Sequence, residues 1–273
     1  MPRNARVYSR AMSYERELSI ALEAAREAGE ILRRHYEHGT EAWEKSADNP
    51  VTLADLEADK AIASRIGAAF PEDAILSEET IRKDARLEKS RVWIVDPMDG
   101  TKEFTKRIPE FAVSIALTEG GEPIVGAIHN PAADVTAWAT RGGGAFRDGQ
   151  RVSVSRCEQL ADAVVIASRT EISRNQFAPY DGWFRELRPV GSIAWKLACV
   201  ACGDGDLNIS VAPKNEWDVC AGDLLIREAG GIYVDFESAT RRYNQANPLI
   251  DKGMAAGPRA LLERFFERHH QIT

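Results

Sequence analysis

The sequence lacks a long apolar run, a surplus of basic side chains and a dense set of cysteines, and each absence excludes a class of protein. Its longest apolar run, residues 111–117, is far shorter than the roughly 20 residues needed to cross a bilayer. The 273 residues include 42 acidic and 35 basic side chains, and the formal net charge of −7 argues against a protein that coats nucleic acid. Four cysteines in a chain of this length do not form a disulfide framework.

The N-terminal segment and the overall composition predict the cellular location of the protein and exclude some classes of partner. The first twelve residues carry three arginines but no apolar stretch, so no secretory signal is expected. With 44% hydrophobic and 28% charged residues, the composition is that of an ordinary globular protein. We therefore expect a cytoplasmic protein with neither a membrane nor a nucleic-acid polymer as partner.

Apolar periodicity predicts two helices packed on a largely antiparallel sheet in the first half of the chain. The helices are expected at 14–37 and 53–69, where Pro71 stops the second. Alternating or continuous apolar runs between turn signals predict strands at the following positions: 92–95, 111–118, 124–129, 135–140 and 151–155.

The second half alternates between strands and helices, which is typical of an α/β unit. Expected strands are at 164–167, 207–211 and 231–234, and expected helices at 192–202, 218–229 and 258–270. The change of pattern near 156–160 predicts two domains, an α+β domain at 13–157 and an α/β domain at 158–270, with the active site between them.

The most informative segment follows the predicted strand at 92–95. Asp96 and Asp99 are three residues apart around Pro97, so both carboxylates can point into one space beyond the strand. Hard cations such as Mg²⁺ bind carboxylate and carbonyl oxygens, and the Met98 carbonyl lies between the two acids. The alternative is an ordinary turn in which Asp99 caps a helix.

Three other acidic positions each have a plain structural interpretation. Glu78 and Glu79 follow a short apolar run and could be solvated surface. Asp55 lies three residues after Thr52, which is the spacing of a capping box. Asp218 opens a predicted helix and could be its N-cap. Each acid alone is therefore weak evidence for a metal site.

Together these positions resemble the inositol monophosphatase-like superfamily of Mg²⁺-dependent, lithium-sensitive sugar and nucleotide phosphatases. The resemblance spans about residues 14–265, and four ordered segments carry it: DNPVTLAD at 48–55, LSEET at 76–80, WIVDPMDGT at 93–101, and WDVCAG at 217–222 with EAGG at 228–231. Four motifs in order are far more specific than one short pattern. The resemblance implies a layered α-β-α-β-α sandwich of the sugar-phosphatase type, combining α+β and α/β parts and often dimeric.

The resemblance also implies a set of ligands for two or three Mg²⁺ ions. Asp96 corresponds to the carboxylate that bridges two ions. Glu78 and the Met98 carbonyl complete the first ion, and Asp99 and Asp218 complete the second. Glu78 also helps to hold a weaker third ion.

Catalytic and phosphate-binding roles are implied for neighbouring residues. Asp55 orients the hydroxyl of Thr101, and Thr101 and Glu78 position and deprotonate the attacking water. The amides of Gly100 and Thr101 hold the phosphate oxygens. Lys45 corresponds to a basic residue near the metal site.

The substrate signals point in two directions. The segment after Thr101, Lys102-Glu103-Phe104, resembles the 3'(2'),5'-bisphosphate nucleotidase branch, in which Lys196 would meet the second phosphate and Ser192 would bind substrate. This predicts removal of the 3'-phosphate from adenosine 3',5'-bisphosphate. However, Glu171 stands where nucleotidases tend to have a histidine.

The alternative substrate is inositol 1-phosphate or a broader set of sugar phosphates on the same scaffold. Here too the chain departs from the pattern, because the segment before Trp217 has no counterpart of the acid that reads inositol hydroxyls. A third possibility is a binding or regulatory module that has kept the fold. This possibility is disfavoured because the chain has all five of the following residues: Glu78, Asp96, Asp99, Thr101 and Asp218.

Overall fold

The computed structural model describes residues 14–46, 49–79, 85–237 and 239–272, except for the side chains of Lys45, Ser46 and Asn49. The described residues form these α-helices: α1 (Glu15–His38), α2 (Leu53–Ala69), α3 (Thr101–Thr105), α4 (Arg169–Ser173), α5 (Ile193–Ala201), α6 (Glu216–Glu228) and α7 (Arg259–His269). They form these strands: β1 (Ala42–Ser46), β2 (Asn49–Thr52), β3 (Ala74–Ser77), β4 (Arg91–Asp99), β5 (Ala112–Glu119), β6 (Glu122–Asn130), β7 (Val135–Thr140), β8 (Gly144–Arg147), β9 (Gln150–Val152), β10 (Val164–Ser168), β11 (Glu186–Val190), β12 (Leu207–Ser210), β13 (Lys214–Asn215), β14 (Ile232–Asp235), β15 (Leu249–Ile250) and β16 (Met254–Gly257).

The first half of the chain forms a seven-stranded sheet in the order β3-β4-β5-β6-β7-β8-β9. Its neighbours are antiparallel except for β3 and β4. Because side chains alternate along a strand, β4 contributes to two cores at once. Val92 and Ile94 face one hydrophobic cluster, whereas Trp93 and Val95 face the other. The continuous apolar run in β4 therefore reflects a strand that is covered on both faces.

The second half forms a five-stranded sheet in the order β11-β10-β12-β16-β14. β10 is parallel to both β11 and β12, and β16 runs antiparallel to β12 and β14. Parallel pairs need crossover segments, and α5 lies on the crossover from β11 to β12. The α/β character expected for this half is thus confined to three of its five strands.

The layers stack as helix, sheet, helix, sheet, helix. α1 and α2 pack on the outer face of the seven-stranded sheet, as their shared cluster of Leu32, Ile62 and Trp93 illustrates. α5 and α6 lie between the two sheets, and α7 covers the outer face of the five-stranded sheet. The α-β-α-β-α sandwich is therefore confirmed. Among the described residues, no helix combines the length and the apolar character that a membrane span requires.

The longer elements agree with the sequence predictions to within one or two residues, except for β4, which extends four residues beyond its predicted end. The predicted helix at 53–69 matches α2 at both ends, and Pro71 follows it. The missed strands are short or unusual in composition: β11 contains a proline, and β16 is built from small residues. Such segments pair because their neighbours offer an open edge, and local propensity does not reveal this.

The two-domain division stays a prediction. The first sheet ends at Val152 and the second begins with β10 at Val164, so the architecture changes close to the predicted boundary. One hydrophobic cluster nevertheless contains side chains from both halves, for example Ile94 of β4, Trp217 of α6 and Met254 of β16. Both halves contribute to this shared core.

Candidate active site

The paired acids of β4 owe their common direction to a β-bulge. Asp96 pairs with Ser114 of β5 and Asp99 pairs with Ala112, so β4 advances three residues while β5 advances two. Residues three apart in a regular strand point to opposite faces, but one extra residue returns them to the same face. The predicted turn after residue 95 is therefore wrong, since the strand continues through Asp99 in bulged form.

Gly100 links this strand to α3 and serves as its N-cap with a positive φ of 101°. The interpretation of Asp99 as the cap is therefore wrong. A Cβ atom at Gly100 would lie 2.9 Å from the Glu110 carbonyl oxygen, so a larger residue would strain the backbone and clash. Glycine at this position allows Thr101 to follow directly behind the two acids.

A third carboxylate joins the pair from the second half of the chain. Asp96, Asp99 and Asp218 each offer one oxygen, and these oxygens all lie within 4.8 Å of one another. Asp96 is 1% exposed, and the other two are half-buried. Burial raises the pKa of Asp96 well above its usual value, and the charges of Glu78, Asp99 and Asp218 raise it further.

The same causes act on the other members of this group. Burial, with the charge of Asp99, raises the pKa of Asp218 well above normal. Burial also raises the pKa of Asp99, although nearby Lys196 and a hydrogen bond from Ser192 oppose the shift. Crowded buried carboxylates resist full ionisation unless a cation compensates them. The donor set consists of hard oxygens, which fits a Mg²⁺ ion.

Asp218 is held in place by the start of α6. The helix begins at Glu216, with Asn215 as N-cap, so Asp218 is the third helical residue and not the cap itself. One of its oxygens accepts a hydrogen bond from Asn215 N at 2.7 Å. The capping box therefore fixes the carboxylate while leaving its other oxygen for the cluster.

Asp99 is held by the start of α5. Its Oδ2 accepts hydrogen bonds from Ser192 Oγ and Ala194 N, both at 2.6 Å. Ser192 is the N-cap of α5, and its hydroxyl also accepts a hydrogen bond from Trp195 N at 3.0 Å. Ser192 lines the pocket as a substrate contact would, but its hydroxyl is already engaged with Asp99.

Asp55 connects α2 to Thr101. Its Oδ2 accepts hydrogen bonds from Thr52 N and Thr52 Oγ1, both at 2.7 Å, so the capping box expected from the sequence is present. Its Oδ1 lies 3.1 Å from Thr101 Oγ1, which is also 3.2 Å from the Met98 carbonyl oxygen. The capping-box interpretation of Asp55 is therefore confirmed, and its role in orienting Thr101 stays a prediction. Burial raises the pKa of Asp55 to about 6.

Glu78 lies just beyond the end of β3 and lines the same pocket as the three aspartates. Its carboxylate does not belong to their compact group. The preceding residue, Ser77, donates a hydrogen bond to buried Asp59 of α2, which fixes the end of β3. Asp59 lies one helical turn after Asp55, and the sequence alone gave it no role.

The pocket has a volume of about 410 Å³ and two chemically different parts. Its acidic part consists of Glu78, Asp96, Met98, Asp99, Thr101 and Asp218. Its lysine part consists of Ser168, Thr170, Lys196, Pro213, Lys214 and Asn215. The structure thus brings the predicted metal residues and Thr101 to one cavity, with Asp55 hydrogen-bonded to Thr101 but outside the lining, and it adds further side chains from β10, α4 and β13.

Lys196 lines the pocket, whereas the predicted position of Lys45 near the metal site cannot be compared with the structure. Lys196 is 3% exposed, and its described hydrogen bond is a long one of 3.4 Å to the Val190 carbonyl oxygen. Burial lowers its pKa, which the carboxylate of Asp99 opposes. It is therefore not the solvated lysine that its place early in a helix suggests. Lys45 lies in β1, and its side chain is outside the described part of the structure.

Comparison with known proteins identifies the family. The model of the inositol monophosphatase family matches residues 13–273. The curated protein Nus factor SuhB of Escherichia coli strain K12 is 35% identical over 268 residues, covering 92% of this chain and 98% of its own. The fructose-1,6-bisphosphatase/inositol-1-monophosphatase of Thermotoga maritima is 32% identical over 247 residues, covering 87% of this chain and 91% of its own.

A solved structure agrees with the sequence comparison. The IMPase of Thermotoga maritima superposes with a TM-score of 0.83 at 29% identity, covering 94% of this chain and 97% of that one. The chain belongs to the inositol monophosphatase family. Because members of this family are phosphatases, it is a phosphoric monoester hydrolase. The superfamily expected from the four segments is confirmed, whereas the bisphosphate nucleotidase branch is not specifically supported.

Proposed function

We propose that the protein is a Mg²⁺-dependent phosphatase that hydrolyses inositol monophosphate with water as the nucleophile. The observation that carries this proposal is the convergence of three carboxylate oxygens within 4.8 Å, beside the Thr101–Asp55 hydrogen bond. Asp96, Asp99 and Asp218 would hold the metal, with Glu78 and the Met98 carbonyl as further oxygen donors in the same pocket. The number of ions, two or three, stays a prediction.

Bound Mg²⁺ would supply positive charge for the anionic phosphate and lower the pKa of a coordinated water. The protein groups have distinct tasks beside it. Thr101 Oγ1 donates toward Asp55 Oδ1, so it can take a proton from the attacking water while it passes its own proton to Asp55. Glu78, which lines the same pocket, is the second group that can accept a proton from the attacking water. The amides of Gly100 and Thr101, at the start of α3, are suited to holding phosphate oxygens.

The comparisons favour inositol monophosphate over the nucleotide that the segment after Thr101 suggests. Of the relatives above, one is named in part as an inositol-1-monophosphatase and one solved structure as an IMPase. The pocket provides side chains that can bind ring hydroxyls, among them Ser168, Thr170 and Asn215. Hydroxyl and amide groups recognise a neutral polyol by hydrogen bonds that need no net charge.

A second candidate substrate is an alcohol with two phosphates, such as adenosine 3',5'-bisphosphate. Lys196 favours it, because this buried lysine lines the pocket with N–H groups beyond its single described hydrogen bond. The Thermotoga maritima relative also carries the name of a bisphosphatase. A lysine that lacks full compensation inside a pocket attracts a second anionic group.

The test compares phosphate release by the purified protein from inositol 1-phosphate and from adenosine 3',5'-bisphosphate, with and without Mg²⁺. We expect Mg²⁺-dependent turnover that favours inositol 1-phosphate, and inhibition by Li⁺. A strong preference for the nucleotide would replace the first substrate by the second. Absence of Mg²⁺-stimulated release from every ester would contradict the proposed activity.

The predictions about nucleic-acid partners, oligomeric state and location do not depend on the proposed reaction. The SuhB relative is named a Nus factor, so the expected absence of a nucleic-acid partner stays a prediction for this chain. The expected homodimer and cytoplasmic location also stay predictions. An RNA-binding titration with the purified protein would test the first of these without any reference to phosphatase activity.

A further inference from the structure

The lysine part of the pocket contains a buried ion pair that the proposed reaction does not use. Glu171, in the first turn of α4, is 3% exposed, and its Oε1 lies 3.3 Å from Lys214 Nζ. The same oxygen accepts hydrogen bonds from Ser210 Oγ at 2.6 Å and from Ala212 N at 3.2 Å. Lys214 lines the pocket and Glu171 does not, so Glu171 holds the lysine from behind.

Lys214 is fixed by three acceptors from the protein. Besides Glu171, its Nζ lies 3.2 Å from the carbonyl oxygens of both Ala212 and Pro213. An ammonium group has three N–H donors, so each one has an acceptor within the chain. A ring hydroxyl can share one of these long hydrogen bonds. A second phosphate would instead compete with Glu171 for the lysine.

Glu171 also changes the balance of charge around the bound alcohol. Outside the acidic part, the described pocket lining contains Lys102, Lys196 and Lys214 but only one carboxylate, that of Glu103. Glu171 adds a second negative charge directly behind Lys214. Because the interior screens charge poorly, this carboxylate lowers the attraction that the lysines exert on a second anion.

We propose that Glu171 is a positioning residue that sets substrate preference, because its pairing with Lys214 favours a neutral polyol over an alcohol that carries a second phosphate. The inference rests on the proposed function, since it requires the ester phosphate to lie at the acidic part and the alcohol at the lysine part. The sequence marked Glu171 only as a departure from the nucleotidase pattern, and the proposal gives this residue a role of its own.

Matched substrates and matched variants test this proposal. Inositol 1-phosphate and inositol 1,4-bisphosphate share the same ring and differ in one phosphate. Glu171→Gln keeps the size of the side chain and one acceptor oxygen but removes the charge. We expect it to raise the ratio of kcat/KM, bisphosphate over monophosphate, by roughly tenfold, mainly through a lower KM for the bisphosphate.

Three further variants make the result specific to the ion pair. Lys214→Gln should lower the same ratio, and in that background the double variant should show much less than the tenfold effect of Glu171→Gln, because the effects of a coupled pair are not additive. Ser210→Ala removes another hydrogen bond to Glu171 Oε1 without changing any charge, so it should leave the ratio unchanged.

An unchanged ratio in folded, active Glu171→Gln protein would overturn the proposal. So would a tenfold effect of Glu171→Gln that persists in the Lys214→Gln background. If Glu171→Gln does not fold, Glu171→Asp, which keeps the charge but withdraws it from Lys214, takes its place, and an unchanged ratio in that variant overturns the proposal. If the wild type releases no phosphate from either ester, the proposed function fails, and the same ratio measured as dissociation constants by calorimetry still tests Glu171.

Discussion

The acidic part and the lysine part of one pocket are built in different ways. The carboxylates of the acidic part lie in short ordered motifs, and one of them, Asp218, also completes a capping box at a helix start, as Asp55 does behind Thr101. The lysine part is assembled from β10, α4, α5 and the segment that ends in β13, and of its residues the sequence marked only Lys196. Both parts are assembled from distant segments. The comparison shows that sequence motifs mark the residues of the acidic part, whereas few residues of the lysine part can be recognised in this way.

The largest effect should come from Asp96→Asn in the acidic part. The substitution removes a charge from the centre of the carboxylate cluster but little volume, so we expect kcat to fall on the order of a thousandfold. Phosphate release at saturating Mg²⁺ measures it, with Asp162→Asn on the exposed surface as the control. Near-normal turnover would exclude a metal role for Asp96.

Thr101→Ala should have the next largest effect. Without the hydroxyl there is no group between Asp55 and the attacking water, so we expect kcat to fall roughly a hundredfold. Thr101→Ser keeps the hydroxyl and should lose much less activity. Equal losses in both variants would show that the methyl group, not the hydroxyl, is what matters.

Ser192→Ala tests whether Ser192 supports the metal ligand Asp99 or binds substrate. If the hydroxyl serves Asp99, its loss should raise the Mg²⁺ concentration for half-maximal activity about tenfold. Ser19→Ala, on the exposed face of α1, is the control. An unchanged Mg²⁺ requirement with a higher KM for substrate would instead support the sequence prediction that Ser192 binds substrate.

The smallest effect concerns the stability of the metal-free protein as a function of pH. The folded-state pKa of Asp55 is raised from 3.8 to about 6, and that of Asp96 is raised well above its ordinary value. A carboxyl group with a raised pKa binds more protons when folded, so stability falls as the pH rises through that pKa.

A pairwise comparison isolates this effect from the rest of the titration. Asp96→Asn removes one such carboxyl group, so its melting temperature in EDTA should exceed that of the wild type by a gap that widens as the pH rises from about 4 to 7. Thermal melts at a series of pH values measure the gap. A gap that is constant or that shrinks with increasing pH would contradict the proposed crowding of charges.

The acidic part was predicted through four ordered segments that resemble a known family, because Glu78 and Asp218 reach the acids of β4 only by tertiary contact. The bulge that aligns Asp96 with Asp99, and Gly100 at a positive φ, both lie within WIVDPMDGT, so one motif encodes strand, bulge and turn. Helix α2 was predicted at both ends because a capping box opens it and a proline follows it.

The remaining features depend on tertiary contacts that no single segment encodes. Lys196 was predicted as a phosphate contact from the resemblance alone, and its place in a helix did not indicate that the packing of α5 would bury it in the pocket. Glu171 meets Lys214 only because α4 and the loop before α6 lie side by side. Neither contact has a spacing in the sequence that could reveal it.

The most direct test of the central claim is anomalous diffraction from crystals of the full chain soaked in Mn²⁺, which substitutes for Mg²⁺ at oxygen sites. We predict at least one peak at coordination distance from carboxylate oxygens of Asp96, Asp99 and Asp218 together. A well-ordered structure with these oxygens in place and peaks only elsewhere would contradict the proposed metal site.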